Sequence, residues 1–291
     1  MYFSLHIRTG NGNILYMIFK TQISEQIEKK QSNICVGLDS DYEKLPEIVK
    51  QNNSLTDAVF HFNKEIIDAT ADITPVYKLN MVCYSGYGID GLIALKKTNE
   101  YIKATYPEIK IIVDSKRSEM KRTAELAAKE LFDEFLFDAT TVTPWFGFDT
   151  IEPFLNYKDK AVFVLCHDSN PSAGDLQDAT LQSGEKLYEY LTKMVVGTWD
   201  KIGNILVEGP LTYPNILKRI VELSPDDQFF LAAGLGAQGG NIEDLKLFSN
   251  KNRFVINASR SVIFASAEEN FAEKSREVVE GYRKIIRSLF E

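Results

Sequence analysis

A short charged stretch, DSKRSEM at residues 114–120, directly follows the apolar run at 111–113. Asp114, Lys116, Arg117 and Glu119 place two carboxylates and two cations within six positions. A positioned ammonium group can stabilise developing negative charge and then deliver a proton, and a neighbouring carboxylate can keep that ammonium charged and oriented. The ordinary alternative is a strand end whose side chains are charged because they meet water. The surrounding elements decide between these interpretations.

Eight short, β-branched apolar runs recur along the chain and predict strands that are covered on both faces. They lie at 33–39, 73–80, 110–116, 137–144, 160–167, 204–209, 229–234 and 253–259. Helical spacing separates them at 55–72, 91–106, 121–135, 184–202, 212–223, 241–249 and 269–290, with a weaker segment at 147–156.

Eight strands that are each followed by a helical segment predict an α/β fold of the (β/α)8 TIM barrel type in a single domain. An open doubly wound sheet is the alternative, but its usual glycine-rich turn is replaced after the first strand by GLDSD. We expect residues 17–291 to form the barrel and residues 1–16 to be an N-terminal appendage. Met17 would then be a sensible alternative start.

The carboxyl ends of barrel strands form the active-site rim of this fold. The predicted rim carries Asp39, Lys78, Asp114, Lys116, Thr143, Ser169, Gln238 and Arg260. Any one of these residues could simply be solvated, but several acids and bases that converge on one rim favour a reactive site.

Two loops predict how a ligand is held. The glycine cluster GLGAQGG at 234–240 and Arg260 in NASRS at 257–261 suit a phosphate, because backbone N–H groups and a guanidinium fork both bind anions. The alternative is a glycine turn beside a surface arginine. The long polar segment at 167–184 is typical of a lid, in which Gln177 either takes part in closure or is merely solvated.

Composition narrows the partners. A net charge of −8 and an isoelectric point near 5.2 give little support for a nucleic-acid partner. Cys35, Cys83 and Cys166 lie in or beside apolar runs without metal-ligand spacing, which predicts free thiols in a reducing compartment. No stretch has the length of a membrane span and no secretory signal is evident, so the expected location is cytoplasmic.

Seven stretches, in the correct order between residues 35 and 266, resemble orotidine 5′-phosphate decarboxylase, especially its longer bacterial-type branch. They are CVGLDSD (35–41), VYKLNM (76–81), DSKRSEMKRTAE (114–125), TVTPWFGFDTIEPFL (141–155), VLCHDSNPSAGDLQ (164–177), GLGAQGGNIED (234–244) and NASRSVIFAS (257–266).

The resemblance implies roles for four residues around the reacting carbon. Asp39 matches an aspartate that binds ribose hydroxyls, and Lys78 matches a lysine that contacts ribose and orders the acid/base array. Asp114 and Lys116 match the Asp-x-Lys pair at the reacting carbon, with Lys116 as the proton donor to C6.

The resemblance implies that five further residues complete the site. Glu119 and Thr123 match residues that reach a neighbouring site across a dimer interface. Ser169 matches the pyrimidine-recognising serine of the lid, while Gln238 and Arg260 match the phosphate ligands.

The activity that the resemblance implies is decarboxylation of orotidine 5′-monophosphate to uridine 5′-monophosphate in de novo pyrimidine biosynthesis. It implies a carboxy-lyase without cofactor or metal, working as a homodimer with shared active sites. Two alternatives stay open at this point. One is a magnesium-dependent sugar-phosphate lyase on a related barrel, and the other is a catalytically impaired nucleotide-binding barrel.

Three positions depart from the family pattern. Glu119 stands in place of aspartate and is longer by one methylene. Lys121 replaces the usual glycine and adds a charge near the array, and Ala233 replaces the usual proline before the glycine cluster.

Overall fold

Eight parallel strands close into one barrel in a computed structural model that describes residues 6–8, 14–16, 19–201, 203–236 and 239–291. The strands are β1 (Ile34–Gly37), β2 (Val76–Asn80), β3 (Lys110–Arg117), β4 (Ala139–Val142), β5 (Ala161–Leu165), β6 (Ile205–Pro210), β7 (Phe230–Ala233) and β8 (Phe254–Ala258). Each strand pairs in parallel with the next, and β8 pairs with β1. The predicted (β/α)8 barrel is confirmed.

Helices cover the outside of the barrel and follow the strands. The α-helices are α1 (Phe19–Lys30), α2 (Glu47–Lys50), α3 (Leu55–Thr70), α4 (Met81–Ser85), α5 (Gly88–Thr105), α6 (Lys121–Lys129), α7 (Glu152–Leu155), α8 (Gly174–Gln177), α9 (Leu187–Lys193), α10 (Pro214–Glu222), α11 (Arg260–Ile263) and α12 (Phe271–Leu289). Segments of π-helix extend α6 over Glu130–Glu134 and α9 over Met194–Trp199. Segments of 3-10 helix lie at Tyr42–Lys44, Phe148–Thr150, Ile242–Leu247 and Lys251–Arg253.

Most predicted helices are present, with two local differences. The segment predicted at 241–249 is a 3-10 helix, Ile242–Leu247, in which the Glu243 N–H donates to the Asn241 side chain. The weak segment at 147–156 contains a 3-10 turn and the short helix α7, because Pro153 is compatible only with the first turn of a helix. No helix within the described ranges is long and apolar enough to cross a membrane.

Two apolar layers explain why the strands read as continuously hydrophobic. Side chains on the inner face fill the barrel and include Val76, Ile112 and Phe163, while the outer faces pack against the helices. Successive residues of a strand point to opposite faces, so strands covered on both sides carry apolar residues at successive positions.

Helix α1 closes the amino-terminal end of the barrel. Phe19, Ile23 and Ile27 are buried in the inner layer, and the Phe19 ring packs edge-to-face on Phe163 at 6.3 Å. Before α1, strands His6–Arg8 and Ile14–Tyr16 pair with each other in an antiparallel ribbon. The boundary between appendage and barrel at residues 16 and 17 stays a prediction, and Met17 lies outside the described residues.

Strand β3 contains a bulge that sets up the rim. Val113 pairs with Thr140 but Arg117 pairs with Val142, so an advance of four residues along β3 corresponds to two residues along β4. The extra residues of β3 are accommodated around Lys116, whose φ of 45° lies in the left-handed region that non-glycine residues seldom adopt. Such strain persists where the surrounding structure fixes it and is common at functional sites.

The inner layer beneath the rim gives a stability prediction. Ile112 is fully buried in it, two residues before Asp114, so Ile112→Ala should lower the free energy of unfolding by about 2–5 kcal/mol through lost burial and a residual cavity. Urea unfolding followed by circular dichroism measures the change. The matched control is Ile285→Ala on the exposed face of α12, which should cost less than about 1 kcal/mol. Equal losses for both variants would contradict the assignment of Ile112 to the core.

Candidate active site

A buried carboxylate between two ammonium groups forms the centre of the carboxyl-terminal rim. Lys78 Nζ on β2 lies 2.7 Å from Asp114 Oδ2 on β3, and Lys116 Nζ lies 2.7 Å from Asp114 Oδ1. Lys78 and Asp114 are buried, whereas the Lys116 side chain is 37% exposed. We call Lys78, Asp114 and Lys116 the charge array. The structure brings these three predicted rim residues together.

Thr141 on β4 fixes the array and was missed by sequence reasoning. Its hydroxyl donates to Asp114 Oδ1 at 2.8 Å and accepts from the backbone N–H groups of Ser115 and Lys116, each at 3.1 Å. One buried hydroxyl therefore holds both the carboxylate and the bulged backbone that carries Lys116. The signal available in the sequence was a polar residue inside the buried run ATTV.

Opposite charges keep the array ionised despite its burial. Burial acts to raise the pKa of Asp114, but the ammonium groups of Lys78 and Lys116 outweigh it and leave the pKa lowered. Burial acts to lower the pKa of Lys116, yet Glu208, once ionised, and the Asp114 carboxylate raise it above its ordinary value. The pKa of Lys78 is raised against burial by the charges of Asp114, Asp39 and Glu208. Lys116 therefore carries its positive charge at neutral pH.

Unpaired polar atoms gather where β1 and β8 meet the rim. Asp39 Oδ1, Asn257 Oδ1 and Ser259 Oγ are buried and have no hydrogen-bond partner among the described residues. A Cβ at Gly37 would lie 2.7 Å from the Ser259 side chain, so glycine is what allows β1 and the β8 loop to approach this closely. Buried polar atoms normally have partners, so this group of atoms suits a hydroxyl-rich ligand.

The glycine cluster after β7 packs against the loop after β8. Gly236 has a φ of 82°, and a Cβ there would lie 2.6 Å from Ser261 Oγ, so both conformation and space require glycine. Gly240 N–H donates to Gly234 O at 3.0 Å and closes the turn. Arg260, the first residue of α11, is exposed beside it. Gln238 lies outside the described residues, so its predicted role stays a prediction.

The loop after β5 is tied down at its base. The buried Gln177 Oε1 accepts the Asp168 N–H at 2.8 Å, and Asp168 Oδ1 accepts the N–H of Ser169 at 2.6 Å. The Ser169 side chain is half-buried. Gln177 is therefore a structural anchor of the loop rather than a solvated residue.

Comparisons with known proteins agree with this geometry. A family model described as orotidine 5'-phosphate decarboxylase / HUMPS family matches residues 32–275. The chain belongs to this family. A protein named orotidine 5'-phosphate decarboxylase from Christiangramia forsetii is 40% identical over 257 residues, covering 87% of this chain and 91% of that protein. The protein of the same name from Flavobacterium johnsoniae is 38% identical over 258 residues, covering 88% and 92%.

Solved structures give the same result. The structure of Leishmania donovani OMP decarboxylase has a TM-score of 0.74 and 27% identity, covering 92% of this chain and 99% of that chain. Leishmania donovani UMP synthase has a TM-score of 0.77 and 28% identity, covering 93% of this chain and 57% of that chain. The resemblance that the sequence motifs indicated is confirmed.

Two residues with expected roles in the decarboxylase family lie apart from the array. Glu119 and Thr123 are exposed, at the end of the β3 loop and in the first turn of α6. The added charge of Lys121 is directed away, because its Nζ pairs with Glu152 Oε2 at 2.7 Å. Arg117 pairs with Glu130 at 2.9 Å and is a structural neighbour of the array.

A second residue missed by sequence reasoning is Glu208 on β6. Its carboxyl group is buried in the barrel that carries the array, and its Oε2 atom has no hydrogen-bond partner among the described residues. The signal was a charged residue inside the apolar run NILVEG.

The paired geometry of Asp114 gives a pH-dependent prediction. Asp114→Asn leaves two buried or half-buried ammonium groups without their carboxylate and should destabilise the protein by about 3–5 kcal/mol at pH 7. Because the pKa of Asp114 is lowered on folding, its contribution is present above the unfolded pKa near 4 and is lost as pH falls below it. The stability difference between the variant and the wild type should therefore narrow below about pH 5.

Urea unfolding at several pH values tests this prediction. The control is Glu152→Gln, which removes an exposed ion pair and should leave the unfolding midpoint nearly unchanged. A difference for Asp114→Asn that stays constant from pH 7 into the acid range would contradict the assigned charge state of Asp114.

Proposed function

We propose that this protein decarboxylates orotidine 5′-monophosphate to uridine 5′-monophosphate. The observation that carries the proposal is the buried Lys78–Asp114–Lys116 array in a barrel that belongs to the decarboxylase family. The relatives named above as orotidine 5'-phosphate decarboxylase match this chain over most of both lengths, which supports the same activity here. The reaction would serve uridine nucleotide synthesis, and a cytoplasmic location stays a prediction.

The array supplies what the reaction needs at C6 of the pyrimidine. When the bond from C6 to the carboxylate carbon breaks, CO2 leaves and the electron pair remains on C6. The Lys116 ammonium stabilises this negative charge and then transfers one proton from Nζ to C6, giving the product. Water returns a proton to Lys116 before the next turnover.

Asp114 keeps Lys116 charged and aimed. Opposite unit charges about 4 Å apart attract by roughly 4 kcal/mol at an effective dielectric of 20, and the observed contact is shorter. Lys78 and Thr141 hold the same carboxylate, so Asp114 cannot follow Lys116 when that side chain moves toward the substrate. This rigidity makes the arrangement preorganised for charge that develops during bond breaking.

The rest of the rim suits the other parts of the nucleotide. Asp39, with its unpaired buried oxygen, would bind ribose hydroxyls beside Lys78. Arg260, Gln238 and the backbone of the glycine cluster would bind the phosphate, and Ser169 would contact the pyrimidine from the loop after β5. Binding energy from the remote phosphate can then assist the chemical step.

A homodimer with shared sites is part of the proposal. Glu119 and Thr123 are exposed, and large apolar side chains stand exposed near them on the loops and helices after β2, β3 and β4, namely Val82, Ile89, Met120 and Phe146. Exposed apolar residues that cluster in this way mark interaction surfaces. A second copy that covers this surface would receive Glu119 and Thr123 at its own rim.

Replacing the proton donor provides the direct test. Lys116→Ala should lower kcat/KM for orotidine 5′-monophosphate by about 10²–10⁴-fold or more, because both charge stabilisation and proton delivery are lost. Loss of substrate absorbance in the ultraviolet measures turnover, and binding of uridine 5′-monophosphate should change far less. The control, Lys129→Ala, removes an exposed lysine paired with Glu134 and should keep wild-type activity. No turnover by folded wild-type protein would refute the proposed function.

The same assay separates the two alternative functions. Both oxygens of Asp114 are already engaged by ammonium groups, a donor set that suits carbanion stabilisation better than Mg²⁺ binding. We therefore expect EDTA to leave the rate unchanged. Loss of activity with EDTA would instead support the magnesium-dependent lyase, and nucleotide binding without turnover would support the impaired barrel.

Mixing two inactive variants tests whether sites are shared. Glu119→Ala and Lys116→Ala should each have low activity alone, since each lacks a different part of every site. After subunit exchange, a mixed dimer regains one site with both residues, so an equal mixture should recover about a quarter of wild-type activity. Differently tagged subunits that purify together show that exchange has occurred. Exchange without recovered activity would contradict a shared site.

A further inference from the structure

Glu208 is a buried carboxyl group that faces the interior of the barrel. Strand residues alternate between faces, and Leu206 belongs to the inner layer, whereas a Cβ at Gly209 would meet Leu217 and Ile220 on the helical side. Glu208 therefore points inward, one step above Leu206 toward the rim. It is only 3% exposed, and its Oε2 atom has no hydrogen-bond partner among the described residues.

The position of β6 places Glu208 opposite the array. The strand order around the closed barrel puts β6 four strands from β2 in either direction, so Glu208 extends from the wall facing Lys78. It lies more than 4.0 Å from the array's ammonium nitrogens, because neither lysine forms an ion pair with it, but it influences the pKa of both. Glu208 thus adjoins the array without being part of its hydrogen-bonded chain.

The charged groups that most influence Glu208 lie on the rim side. They are Lys78 on β2, Asp114 and Lys116 on β3, and Asp168 in the loop after β5, with the thiol of Cys166 also nearby. Burial raises the pKa of Glu208; the Lys116 and Lys78 ammonium groups oppose this effect, whereas the Asp114 and Asp168 carboxylates add to it. The net result is a raised pKa.

The protonation state of Glu208 changes the net charge around the reacting carbon. The chain Lys78–Asp114–Lys116 carries two positive charges and one negative charge, and so a net charge of +1. The proposed reaction places one negative charge at C6, first as the substrate carboxylate and then as the carbanion. Neutral Glu208 leaves that match intact, whereas an ionised Glu208 adds a buried negative charge beside the one that the reaction places at C6.

We propose that Glu208 works as a neutral carboxylic acid that preserves the +1 charge of the array, and that ionisation of Glu208 lowers the rate of decarboxylation as pH rises. Glu208 is a positioning residue in this account, since it acts through the charge available to Lys116. The inference rests on the proposed decarboxylase function.

The test compares pH profiles of kcat/KM for orotidine 5′-monophosphate between pH 5.5 and 9.5. Wild-type activity should fall by about tenfold per pH unit above the pKa of Glu208. Glu208→Gln keeps the shape of the side chain but cannot ionise. Its kcat/KM should lie within about threefold of the wild-type value at low pH and should not show this decrease at high pH, the alkaline limb of the profile. A limb shared by both proteins belongs to another group, such as Lys116 or the substrate phosphate.

Two further variants control for fold and for loss of charge elsewhere. Glu208→Met is apolar and of similar length, and should also lack the alkaline limb. Asp200→Asn removes a half-buried carboxyl group just before the amino end of the same strand and should keep the wild-type profile. Thermal unfolding gives a readout without turnover. Because a raised pKa makes Glu208 cost stability as pH rises, Glu208→Gln should gain stability over the wild type as pH rises above the unfolded glutamate pKa of about 4.3.

Three outcomes would overturn the inference. Superimposable profiles for the wild type and Glu208→Gln would show that ionisation of Glu208 does not govern the reaction. A folded Glu208→Gln that binds uridine 5′-monophosphate but is inactive at every pH would show that the ionised carboxylate is required. A stability difference independent of pH would show that the carboxyl does not titrate as argued. Absence of wild-type turnover at low pH would instead refute the proposed function, and the thermal readout would still decide the protonation of Glu208.

Discussion

The site depends on a carboxylate held in the interior by two ammonium groups and a hydroxyl. An isolated charge at the position of Asp114 would be strongly disfavoured, because transfer of an ion out of water costs several kcal/mol even after relaxation. Lys78, Lys116 and Thr141 supply the compensating contacts. Each partner comes from an adjacent strand or from the same one, so the pairing of β2, β3 and β4 assembles the array.

Local strain in β3 accompanies this arrangement. Asp114 and Lys116 would share a face even in a regular strand, and the bulge changes the local backbone around Lys116, whose ammonium group contacts the carboxylate two residues before it. The left-handed backbone at Lys116 is costly by itself, but two N–H bonds to Thr141 and the ion pair to Asp114 hold it. These contacts keep the ammonium group preorganised at the rim, on a backbone conformation usually left to glycine.

Sequence reasoning predicted the barrel and the central array because both have local signatures. Continuous apolar runs indicated strands covered on both faces, and charged residues after those runs indicated a common rim. Thr141 and Glu208 escaped because their importance depends on which strand faces which, and on the bulge that alters register between β3 and β4. The direction of Lys121 toward Glu152 likewise depends on the packing of α6 beside α7. Such relations arise from tertiary structure and have no short-range pattern.

Closure of the amino-terminal end of the barrel by α1 limits where substrate and products can pass. Phe19, Ile23 and Ile27 pack into the inner layer at this end, so the barrel is not a pore. The carboxyl-terminal rim, next to the loop that Gln177 anchors, is therefore the end of the barrel left for nucleotide and products to pass. A bulky substitution at this rim would hinder binding of the nucleotide and release of both products together.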